Sequence, residues 1–70
     1  MIEINTTRSS MLKTIAYDDS KKELIVTFAS GGTYKYEEVP KSVFNEMINA
    51  ESEGKYFLAN IKGKYKFEKE

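Results

Sequence analysis

Ser10 and Lys13 stand at the spacing S-x-x-K, in which a lysine amine can take the proton of a serine hydroxyl and make it a nucleophile. That chemistry needs the serine at a helix start, inside a large cleft, with further catalytic groups beside it. Here the four residues open a strand-forming stretch in a chain of 70 residues, so the match reads as coincidental. Asp18 and Asp19 present two carboxylates to a hard cation. Calcium, however, takes about six or more oxygens from a dedicated loop, and no D-x-D-x-D-G series follows. They read as turn residues. The chain has no His and no Cys, so it lacks the common imidazole base, the thiolate nucleophile and the usual zinc ligands. An enzyme is not expected, and neither is a metal or small-molecule cofactor.

What remains is aromatic and basic. Nine of the 70 residues are Phe or Tyr, and Tyr34 and Tyr36 share one face of any strand that contains them. Tyrosines on a sheet can stack nucleobases, and equally they can cover a helix in a small core. Lys62, Lys64 and Lys66 interleave with Gly63, Tyr65 and Phe67. Drawn out as a strand, the three ammonium groups would line one side at a spacing of about 6.6 Å, close to the phosphate repeat of a single strand. The same alternation also describes a solvated edge strand protected by lysines. Eleven basic and eleven acidic residues cancel, which denies the chain a global positive field. Their distribution is uneven: residues 1–54 carry six basic and nine acidic side chains, whereas residues 55–70 carry five lysines against Glu68 and Glu70.

Seventy residues make one domain, expected to keep about 4,500 Å² of surface when folded and to spend most of its apolar side chains on folding. A ligand site is therefore expected at the surface. No apolar run is long enough to cross a bilayer and Met1–Ser10 has no signal-peptide core, so the expectation is cytoplasmic, with no membrane partner. The segment 1–8 is expected to be loosely held, 9–67 to form the domain, and 68–70 to be a tail. Three strands are expected near residues 10–18, 23–29 and 33–38, joined by the polar turn Asp18–Lys22 and by Ser30-Gly31-Gly32. At Val39-Pro40 the apolar period changes from two to that of a helix, which predicts helices near 41–51 and 55–62, with Gly54 as a left-handed stop between them. The predicted fold is α+β: a three-stranded antiparallel meander covered by one amphipathic helix and a shorter C-terminal one, with Leu24, Val26, Phe28, Phe44, Met47 and Ile48 buried together.

Taken as one string, Ser9-Ser10, Tyr17-Asp18, Leu24-x-Val26-x-Phe28, Gly31-x-x-Tyr34-x-Tyr36-x-x-Val39-Pro40, Ala50-x-Ser52-x-Gly54-x-Tyr56-Phe57, Ile61 and Tyr65 resembles the KTSC domain. That family is named from the C-terminal extension of some lysyl-tRNA synthetases and also occurs as small stand-alone bacterial and phage proteins. The resemblance runs from Ser9 to Tyr65, and Leu58 departs from it where a polar residue such as Asn is expected. It implies an RNA or tRNA contact, and it does not carry over the synthetase's catalysis, whose core is missing from this chain. Two function classes follow. One is a weak RNA-associating accessory module using Lys62, Lys64 and Lys66 with Tyr34 and Tyr36. The other is a protein-interaction module in which the same tyrosines join Lys35, Glu37 and Glu38 in a partner-binding patch.

Overall fold

The computed structural model describes residues 2–4 and 10–70. Its elements run β1 (Ile2–Ile4), β2 (Leu12–Asp18), β3 (Glu23–Phe28), β4 (Thr33–Tyr36), α1 (Lys41–Ile48), α2 (Glu53–Asn60) and β5 (Phe67–Lys69). The fold is α+β, with the expected meander at its centre. The sheet, however, has five antiparallel strands in the order β1-β2-β3-β4-β5, not three. Ile2–Ile4 pairs with Ile15–Tyr17 on one edge, and Phe67–Lys69 pairs with Tyr34–Tyr36 on the other. The stretch 5–8 of the expected loose lead-in, and Ser9, lie outside the described residues.

Alternation fixes the two faces. Tyr17 faces Leu24 and Ile15 faces Val26 across β2 and β3, while Leu24 faces Tyr36 and Val26 faces Tyr34 across β3 and β4. These side chains therefore share the face covered by the helices. A bulge between Leu12 and Thr14 shifts the register of β2, so Leu12 is buried although it lies three residues from Ile15. That bulge is why the alternation in this stretch looks imperfect. The other face carries Thr27 and Thr33, whose hydroxyls stand 3.2 Å apart, and the Lys35–Glu23 ion pair at 3.8 Å.

The turns follow from local chemistry. Asp18 closes the β2–β3 turn by accepting hydrogen bonds from the Ser20 hydroxyl at 2.7 Å and the Ser20 amide at 3.1 Å. Between β3 and β4 the Gly31 backbone has φ +114°, a conformation that other residues rarely adopt. Pro40 occupies the N-cap of α1, and its carbonyl accepts from the amides of Val43 and Phe44. The first helix ends at Ile48, earlier than expected. Ser52 then caps α2 by accepting from the Lys55 amide, so Gly54 sits in the first turn of α2 and is not a left-handed stop.

The core lies between the helices and the sheet. Tyr17 stacks on Phe44 with ring centroids 4.9 Å apart and donates its hydroxyl to the Val39 carbonyl at 2.6 Å. Phe57 brings α2 edge-on to Tyr36 and Phe28, at 5.3 and 5.5 Å. Of the six residues expected at the centre, Leu24, Val26, Phe44 and Met47 are buried, while Phe28 and Ile48 are only half-buried and pack on its margin. Leu12, Ile15, Tyr17, Tyr36, Val39, Phe57 and Ile61 complete it. The total surface, 4461 Å², matches the value expected from chain length. Among the described residues no helix is long and apolar enough to cross a membrane.

A candidate ligand groove between the sheet and the second helix

Phe28 is only partly buried: Phe57 of α2 packs edge-on against one side of its ring at 5.5 Å and the other side is open. The result is a groove of about 690 Å³ between the β3–β4 loop, the inner face of β4 and β5, and the end of α2. Its floor is aromatic. Phe28 meets Tyr34 edge-on at 5.3 Å, and Phe67 lies 5.7 Å from Tyr34 and 5.3 Å from Tyr36. Phe67 and Leu58 remain 53% and 48% exposed, an unusual solvation cost for a chain so short of core residues. The β3–β4 loop leaves room for Tyr34, since a Cβ on Gly32 would come within 3.2 Å of its Cε1.

Lys62, Lys69 and Glu70 also line the groove. Lys62 arrives there because α2 ends in a tight turn: the amides of Ile61 and Lys62 both bond the Phe57 carbonyl, and the Lys64 amide bonds that of Ile61, with Gly63 at φ +81°. Lys69 arrives because it pairs with Tyr34 and so shares its face. Among the described residues the ion pairs are Lys35–Glu23 and Lys41–Asp19, which leaves the groove lysines without a carboxylate partner within 4 Å.

The expected site residues are only partly brought together. Tyr34 and Lys62 line the groove. Tyr36 borders it but is 4% exposed, and burial, with Tyr34 close by, pushes its ionisation up. It is a core residue more than a free ring. Lys62, Lys64 and Lys66 do not form an extended ribbon, because the turn at Gly63 separates them and only Phe67–Lys69 is strand. The Glu37 amide bonds the Lys66 carbonyl, continuing the β4–β5 ladder, so alternation puts Lys66 with Glu68 on the far face. The tyrosine patch with Lys35 and Glu37 also divides. Lys35 projects from the face opposite Tyr34 and Tyr36 and is paired with Glu23, and Glu37 follows the same alternation. Glu38 is exposed in the left-handed region, at φ 57°.

Leu58, Phe67 and Lys69 line the groove, although none of them is among the expected site residues. The signal for Phe67 and Lys69 is the continued alternation Tyr65-x-Phe67-x-Lys69; Leu58, in α2, has none there. Ser10 is exposed ahead of β2 and Lys13 is exposed at its bulge. Among the described residues no three carboxylates gather into a metal-holding group.

A five-stranded sheet with two helices on one face and an aromatic, lysine-edged groove defines a small α+β domain. Residues 8–65 match the KTSC domain model, and the chain belongs to that family. It is 42% identical over 59 residues to a lysine–tRNA ligase of Nostoc punctiforme, a match covering 84% of this chain and 10% of the ligase. A protein of Tsukamurella paurometabola is 34% identical over 58 residues, covering 83% of this chain and 87% of that protein. The crystal structure of a KTSC domain protein from Yersinia pestis superposes with a TM-score of 0.92 at 32% identity, covering 99% of this chain and 96% of the other. The chain thus spans about a tenth of the length of the lysine–tRNA ligase it matches, and nearly all of the stand-alone protein.

Proposed function

We propose that this domain is a non-catalytic accessory module that associates with RNA through the groove between β4, β5 and the end of α2. The observation that carries the reading is the combination of an exposed aromatic floor with two unpaired lysines in a chain of zero net charge. Kinship with lysine–tRNA ligases, proteins whose name joins them to a transfer RNA, supports it. The neutral chain makes binding weak, micromolar or poorer at physiological salt.

The test is a titration of labelled transfer RNA at several salt concentrations. With Lys62 and Lys69 engaged, log affinity should fall with log salt at a slope of about −1.4, and a Lys62→Gln, Lys69→Gln double variant should bind too weakly to measure. Absence of salt-sensitive binding even at low ionic strength would favour the second reading, a protein partner. Exposed Leu58 and Phe67 support that reading, because a partly apolar patch is what such a partner covers.

A further inference from the structure

Phe67 is held from behind and open in front. Its ring contacts Tyr36 at 5.3 Å and Tyr34 at 5.7 Å, yet 53% of the residue remains exposed. A side chain backed by two rings loses little further freedom when a flat ligand settles on it. Gly32 has no Cβ, which would otherwise come within 3.2 Å of the Tyr34 ring. Lys62 and Lys69 come from different elements and both line the groove, and Glu68, which pairs with Lys35, belongs to the opposite face. The groove therefore offers a planar apolar surface edged by two lysines and by the Glu70 carboxylate. A volume of about 690 Å³ lies within the range of small-ligand sites.

We infer that the groove takes an unpaired nucleotide of single-stranded RNA, with the base stacked on Phe67 beside Tyr34 and the flanking phosphates held by Lys62 and Lys69. This rests on the RNA-association reading and adds strand selectivity to it. A paired base is already stacked on both sides and shows only its edge, so a duplex can offer the lysines its phosphates but cannot offer Phe67 a face. Purines, with the larger π surface, should bind more tightly than pyrimidines.

The experiment compares a short oligoadenylate, an oligouridylate and an RNA duplex of equal length by fluorescence anisotropy at low ionic strength, with the full chain. The single strands should bind about tenfold more tightly than the duplex, with adenylate ahead of uridylate. Phe67→Ala should remove about that tenfold from the single strands and leave duplex binding unchanged. Phe67→Leu keeps apolar bulk without a π face and should lose as much, provided its melting curve matches the parent. Lys21→Gln, in the turn at the opposite end of the β2–β3 hairpin, should change neither. Equal affinity for duplex and single strand, with Phe67→Leu unaffected, would overturn the base-stacking inference and leave RNA association standing. Failure to bind any of the three RNAs would overturn both.

Discussion

Three tyrosines report on the fold through their ionisation. Burial, followed by the nearby Asp19 and Asp18, raises the pKa of Tyr17, and burial raises that of Tyr36. Tyr56 is pushed up to about 12 by burial and by the hydrogen bond it donates to the Glu46 carboxylate at 2.9 Å. In each case the folded chain prefers the neutral phenol. The stabilisation is therefore complete below the ordinary tyrosine value of about 10 and is lost as pH rises through the higher folded values. The melting temperature should stay level up to about pH 10 and then fall, with the tyrosinate absorbances of Tyr17, Tyr36 and Tyr56 appearing late in a spectrophotometric titration. Asp18 has the opposite sign: its bond from the Ser20 hydroxyl lowers its pKa, so that contribution disappears in acid. Among apolar residues, Phe44→Ala should cost about 3–5 kcal/mol by urea denaturation. Phe28→Ala should cost clearly less, since its ring borders the groove and is only half-buried. Equal losses for the two would contradict the placement of the core.

At the scale of elements, two backbone positions decide how the C-terminal third reaches the groove. Gly63 holds φ +81° in the turn that carries Lys62 out of α2, so Gly63→Ala should cost about 1 kcal/mol, and Ser52→Ala a similar amount through the lost cap on α2. Chemical denaturation measures both. Elements with a sustained period were legible in the sequence. Leu24, Val26 and Phe28 repeat at two, Phe44, Met47 and Ile48 at helical spacing, and Val39-Pro40 marks the change between them. Of the two edge strands, Ile2–Ile4 is too short to display a period, and Phe67–Lys69 shows only as the end of the lysine alternation, which also describes a solvated edge strand. Their pairing partners, not their own composition, make them strands. The lysine alternation misled for a related reason. Its period of two spans Gly63, where the Phe57 carbonyl accepts from the amides of Ile61 and Lys62, the Ile61 carbonyl accepts from that of Lys64, and the chain turns before it extends.

At the scale of the molecule, the small core sets where binding can occur. Most large apolar side chains are consumed between helices and sheet; of those left exposed, Phe67 and Leu58 line the groove, whereas Ile2 lies on the far edge strand β1. Tyr34 and Lys62 could be picked out beforehand as aromatic and basic residues. Their meeting with Phe67 and Lys69 could not, because it depends on β5 closing against β4, a contact between segments about thirty residues apart. The charge asymmetry of the last sixteen residues carries over into the fold as lysines at the groove, although Lys66 falls on the other face. The proposed RNA contact at this groove is read out by amide chemical-shift mapping during titration with a short single-stranded RNA. The shifts should concentrate at Gly31, Gly32, Tyr34, Leu58, Lys62, Phe67 and Lys69. Shifts confined to the outer face at Thr14, Ile25 and Lys35, or to the Asp18–Lys22 turn, would contradict it.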